Sequence, residues 1–145
     1  MTEYKVPLKV GDWYDFSKTI SESDVYMFGG VTADFSPMHF NEVFASTTPY
    51  GTRIVHGLLT FTFGSTASTL IQQKYECSIP SASYGYDHVR FTAPVFFGDT
   101  VTAHYEIVRV DDEAMKSYGD ITITNQHGDV VCVATHILKF LPPKE

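Results

Sequence analysis

The chain is short of the features on which several classes of protein depend. Lys and Arg number only 10 against 17 Asp and Glu, and the formal net charge is −7. Nucleic-acid binding normally needs clustered cations to displace phosphate counterions, so the balance argues against such a partner. A phosphorylated small molecule stays open, because a few local cations or backbone amides hold phosphate. Only two cysteines are present, Cys77 and Cys132, 55 positions apart and without metal-site spacing. Cys132 lies in the apolar run Val130-Val131-Cys132-Val133-Ala134, where the expectation is a buried, inert thiol. No stretch reaches the roughly 20 apolar residues that a membrane helix needs. Met1-Thr2-Glu3-Tyr4-Lys5 has no signal-peptide core. Repeats, low-complexity tracts and linkers are also missing. A reduced, cytoplasmic protein with no membrane partner is the expectation.

What is there suits one domain. A chain of 145 residues hides about 68–70% of its unfolded surface, enough for a real core. Hydrophobic residues make up 43%, and nine Tyr with eleven Phe favour strands. Leu8 to Asp12 reads as a short strand or arm ending in a turn. Ser21 is a helix N-cap, with Glu22 and Asp24 placed for the helix dipole. A second short helix is expected from Asn41 to Ser46. The longest helix is expected from Gly57 to about Lys74; it has no broad charged face until Gln72 and is expected to be buried over most of its length. Strands follow at Tyr84–Thr92, Val101–Ile107, Ile121–Asn125 and Val130–Phe140, the last two joined by a hairpin at Gln126-His127-Gly128-Asp129. A short loose tail begins near residue 141. One apolar helix followed by a meander implies a single α+β domain, a curved antiparallel sheet wrapped around a central helix.

The informative residues are Ala33-Asp34-Phe35-Ser36-Pro37-Met38-His39 and, seventeen positions after His39, His56-Gly57 at the head of the long helix. With Phe91-Thr92-Ala93-Pro94-Val95-Phe96-Phe97-Gly98-Asp99, they resemble the MaoC-like, (R)-specific enoyl-CoA hydratases of the hot-dog fold. The resemblance runs from about residue 8 to 140. The family hallmark is Asp-x-Asn-Pro-x-His, often preceded by Gly; here Ser36 replaces the Asn and Ala33 the Gly. Serine still donates and accepts a hydrogen bond.

The resemblance implies hydration of a 2-enoyl-CoA to an (R)-3-hydroxyacyl-CoA. Asp34 would accept a proton from one water, and His39 would hold that water and hand a proton on. Imidazole suits this role because it titrates near neutrality. The family implies the Gly57 amide as oxyanion donor, with Ser65, His56 and Ser36 as supporting or substrate-binding residues. Read alone, His56 is first a structural residue and Ser65 a small helix-packing one. Zinc held by Asp34, His39 and His56 lacks any recognised ligand spacing, so no metal is expected. No separate cofactor is expected either, coenzyme A being part of the substrate. Arg53, Lys74 and Arg90 are candidates for its phosphates. Met27, Phe28, Met38, Phe40, Leu58 and Phe61 are candidates for limiting acyl length. His88, His104, His127 and His136 have no evident partner. The family implies a homodimer or higher homo-oligomer. Rival readings are a branched or dicarboxylic C4–C5 enoyl-CoA as substrate, a hot-dog thioesterase, and an acyl-CoA-binding domain without activity.

Overall fold

The computed structural model describes residues 3–144. Strand β1 (Trp13–Thr19) is followed by α1 (Glu22–Thr32), α2 (Pro37–Phe40), α3 (Glu42–Ala45) and the long α4 (Gly57–Lys74). Strands β2 (Ser81–Phe91), β3 (Thr100–Asp111), β4 (Lys116–Thr124) and β5 (Val130–Phe140) complete the chain. The five strands form one antiparallel sheet in the order β1-β3-β4-β5-β2. Helix α4 packs across its inner face against β1, β3, β4 and β5. This helix held by a curved sheet is the hot-dog fold. Among the described residues no helix is long and apolar enough to cross a membrane.

Alternation along the strands builds the core. Val101, Ala103, Tyr105 and Ile107 of β3 point inward with Ile121 and Ile123 of β4 and Cys132, Leu138 and Phe140 of β5. These meet Phe63, Ala67 and Ile71 of α4. Cys132 is a free thiol whose pKa burial pushes up to about 11, so it stays protonated.

Several boundaries differ from the sequence reading. Leu8–Asp12 is an arm that buries Leu8, and the strand lies just after it, at Trp13–Thr19. Its alternation of Tyr14 and Phe16 with Asp15 and Ser17 is short and mixed with polar residues. Strand β4 begins at Lys116, ahead of the apolar pair Ile121 and Ile123, because Ser117 and Gly119 also face inward. Helix α4 is not buried all round: Leu58, Thr62, Ser65, Thr69 and Gln73 form an exposed stripe. That face is built mostly of hydroxyl side chains, which tolerate water. The hairpin at 126–129 forms as expected, with the Asn125 side chain accepting from the His127 and Asp129 amides and Gly128 at φ 82°.

Two of the unpartnered histidines gain partners across the sheet. His104 pairs with Asp15 on the outer face at 2.5 Å. His136, fully buried, lies between the Ser83 hydroxyl at 2.8 Å and the Tyr105 hydroxyl at 3.0 Å, and stacks on Tyr86. A side chain at Gly119 would overlap the Tyr105 ring, so this glycine makes the room that the network needs.

Burial pushes the His136 pKa down to about 4, from an ordinary value of 6.5. In the unfolded chain the ring binds a proton below about 6.5, whereas in the fold it resists until near 4. Stability is therefore full above that window and falls by up to about 3 kcal/mol as the pH drops through it. Denaturant midpoints at pH 7 and 4.5 should show this loss, and His136→Gln should show less of it.

Candidate active site

The site is assembled where α1 ends. Ala33 caps α1 with its amide donating to the Gly29 carbonyl at 2.8 Å, in the left-handed region at φ 60°. This turn sends the chain sharply toward α2. Asp34 follows, its amide bonded to the Thr32 hydroxyl and its Oδ1 accepting from the Ser36 amide at 3.3 Å. Ser36 caps α2, its hydroxyl accepting from the Met38 amide at 3.4 Å, and Pro37 fills the first helical position, where no amide donor is needed. A short polar side chain thus performs the capping at position 36.

Helix α2 presents His39. Its Nδ1 bonds the Ile54 carbonyl at 2.6 Å, while the Ile54 amide donates to the Met38 carbonyl at 3.1 Å. Ile54 also bridges to Phe96, and the Val55 amide donates to Val95 at 2.8 Å. A carbonyl only accepts, so the His39 Nδ1 carries a hydrogen and a neutral ring keeps its lone pair on Nε2. Desolvation lowers the His39 pKa below its ordinary value of 6.5, and nearby His56 adds to this; the Ile54 bond and the Asp34 charge pull the other way. The ring is therefore a neutral base at pH 7.

His56 is buried, 2% exposed, and its Nε2 donates to the backbone carbonyl of Asp34 at 2.9 Å. Its ring stacks on His39 with centroids 3.8 Å apart. It holds the Asp34 loop in place. Ligating atoms of Asp34, His39 and His56 lie within 4.8 Å of one another. With Nδ1 of His39 and Nε2 of His56 bonded to carbonyls, His39 Nε2 and His56 Nδ1 are the nitrogens left to a ligand.

Beside His39 opens a cavity of about 350 Å³, lined also by Tyr50, Gly57, Thr60, Phe91, Val95 and Val131. Gly57 is the first residue of α4, so its amide has no partner within the helix. A Cβ there would lie 2.9 Å from the Phe91 ring, a contact that glycine avoids. A basic imidazole and a helix-tip amide thus meet at one small cavity, and the exposed Asp34 carboxylate lies beside that imidazole, outside the lining.

Other expected residues fall elsewhere. Ser65 is exposed on the outer stripe of α4, about 12 Å along the helix from Gly57, and lines a different cleft with Thr62 and Thr69. The Arg53 guanidinium is engaged by Glu22 at 2.9 Å, Tyr26 at 3.2 Å and Glu42 at 3.3 Å, and covers the Phe97 ring. It clamps α1 and α3 to the segment before α4. Lys74 lies at the far end of α4, bonded to the Trp13 carbonyl and over its ring. Neither Arg53 nor Arg90 lines the cavity, though each precedes a lining residue, Ile54 and Phe91. None of Met27, Phe28, Met38, Phe40, Leu58 and Phe61 lines the cavity. Tyr50, Thr60, Phe91 and Val131 do so instead, and their long separations hide this in the sequence.

Comparison with known proteins gives the family of the chain. A family model described as MaoC like domain matches residues 7–129, and the chain belongs to that family. The (R)-specific enoyl-CoA hydratase of Rhodospirillum rubrum is 42% identical over 100 residues, spanning 69% of this chain and 66% of that protein. A 3-hydroxybutyryl-CoA dehydratase of Methylorubrum extorquens is 35% identical over 98% of this chain and 86% of its own. Among solved structures, the (R)-hydratase of Aeromonas caviae superposes with a TM-score of 0.80 at 31% identity, covering 93% of this chain and 98% of its own.

Ala33 holds a backbone conformation that a glycine adopts without strain. Ala33→Gly should therefore raise the unfolding free energy by about 0.5–1 kcal/mol while leaving the Asp34 loop in place. Chemical denaturation of the two proteins side by side measures the difference.

Proposed function

We propose that this chain, an enoyl-CoA hydratase by class, adds water across a 2-enoyl-CoA to give the (R)-3-hydroxyacyl-CoA, with Asp34 and His39 acting on one water. The observation that carries the reading is the approach of the Asp34 carboxylate to the His39 ring, which itself lines the cavity with Gly57. In the hydration direction, the lone pair of His39 Nε2 removes a proton from water as its oxygen attacks C3. The Asp34 carboxylate accepts the other hydrogen bond of that water and stabilises the imidazolium. The Gly57 amide takes the thioester oxygen as negative charge builds on it. His39 then returns the proton to C2, which restores the neutral ring and balances the atoms without a separate cofactor. This division gives the proton transfer to His39 and the orienting role to Asp34, the reverse of the sequence expectation, because the Ile54 bond leaves Nε2 with a lone pair.

Two rival readings lose support. A dicarboxylic acyl group would want a cation, and no Lys or Arg lines the cavity. A binding domain without activity was favoured only by Ser36, which caps α2 as an Asn would.

We propose further that the chain works as a cytoplasmic homodimer. Strand β2 is a sheet edge with Tyr84 63% exposed, and the outer stripe of α4 lies open. Pairing copies across these surfaces would protect the edge. Analytical ultracentrifugation should give a mass near twice 16.2 kDa; a monomer at micromolar concentration would refute the dimer.

Loss of enoyl absorbance on but-2-enoyl-CoA tests the chemistry. Asp34→Asn and His39→Ala should each lower kcat by about 10²–10⁴-fold with the protein still folded, and near-full turnover by either would end the mechanism. Protonated His39 is no base, so kcat/KM should fall on the acid side, with an apparent pKa below 6.5. An acid limb centred above that value would contradict the assignment.

A further inference from the structure

Thr60 lies three residues into α4 from Gly57, is 1% exposed, and lines the cavity beside His39. Its Oγ1 is buried and has no hydrogen-bond partner. Leaving such a group unpaired costs about 1–3 kcal/mol, and a helical hydroxyl usually escapes the penalty by bonding a carbonyl in the turn behind it. Other helical hydroxyls of this chain do so: Thr32 donates to Phe28, Thr62 to Leu59 and Ser68 to Ser65. Thr60 does not. Thr92 spends its hydroxyl on the Val130 carbonyl, Ile54, Val55, Val95 and Val131 are apolar, and neither Tyr50 nor His39, the other polar side chains of the lining, bonds Thr60.

We propose that Thr60 is a specificity residue whose hydroxyl bonds an uncharged oxygen on the acyl chain of a short 2-enoyl thioester, at or just beyond C4. The inference rests on the hydratase reading above. With the thioester oxygen at the Gly57 amide, the acyl carbons run into the cavity on the side where Thr60 lies. Helical side chains lean toward the N-terminus, which brings Thr60 back over the first turn of α4. Threonine has two χ1 wells in a helix, so a rotation of about 120° between them exchanges its methyl for its hydroxyl at the cavity wall. The missing cation excludes a carboxylate, whose buried charge would be uncompensated. A hydroxyl, ether or keto oxygen fits, and pairing it removes a penalty that the free protein bears.

The test compares kcat/KM on 4-hydroxybut-2-enoyl-CoA and pent-2-enoyl-CoA, which differ by a hydroxyl in place of a methyl. But-2-enoyl-CoA serves as the reference. The wild type should prefer the hydroxylated substrate by about tenfold or more. Thr60→Val should lower that preference by about tenfold, and Thr60→Ser should restore most of it. Free Thr60→Val should melt no lower than the wild type, since it replaces an unpaired hydroxyl with a methyl of similar volume. A wild type with no preference, an equal loss on both substrates in Thr60→Val, or a clear drop in its melting temperature would each overturn the proposal. Turnover of but-2-enoyl-CoA without a preference rejects Thr60 alone. Failure of the wild type to hydrate any of the three rejects the hydratase reading, and this proposal with it.

Discussion

The hydrogen bond from His39 Nδ1 to the Ile54 carbonyl is the constraint on which the site depends. It decides which ring nitrogen holds a hydrogen, and so which one keeps its lone pair. It also anchors a one-turn helix that could not persist alone, since a single turn fixes many dihedral angles for one internal bond. The reverse bond, from the Ile54 amide to Met38, makes the attachment two-sided. Through Phe96 and Val95 the same short segment is tied to the chain that leads into β3. The imidazole is thus fixed to the scaffold rather than to a free loop.

The second layer serves the same end. His56 holds the Asp34 carbonyl from below while stacking on His39, so one buried ring sets both the loop and its neighbour. Arg53 binds α1 and α3 to the approach of α4, through Glu22, Tyr26 and Glu42. The Arg53 charge is spent inside the protein. Lys74, Arg109 and Lys116 likewise lie over aromatic rings of their own chain. With these cations engaged and none in the lining, the cavity offers backbone amides, shape and a few neutral hydroxyls.

The sheet contains a polar network away from this site. Tyr105, His136 and Ser83 meet across β3, β5 and β2 in the core, with Gly119 of β4 leaving space for the tyrosine. Each partner satisfies a group that burial alone would penalise. Alternation in β5 shows that position 136 faces inward, but not which hydroxyls meet it there.

Local physics was legible from the residues themselves. Ser21 and its acidic companions marked the start of α1, Gly57 to Lys74 the long helix, and the period-two runs most of the strands, because these signals are carried by near neighbours. Asp34, Pro37 and His39 were recognisable as a group because together they resemble the MaoC-like hallmark, which is compact in sequence. The roles of Arg53, Thr60, Phe91 and His136 were decided only by the tertiary structure. Their partners lie far off in the sequence, and no spacing rule states which faces will meet. The same holds for the exposed stripe of α4 and the displaced Ser65: a helix with little charge reads as buried all round until the sheet chooses the side it covers. Sequence alone determined which chemical groups the chain owns and how they fold locally. Packing decided which of them lose water, and that sets both the proton on His39 and the unpaired hydroxyl of Thr60.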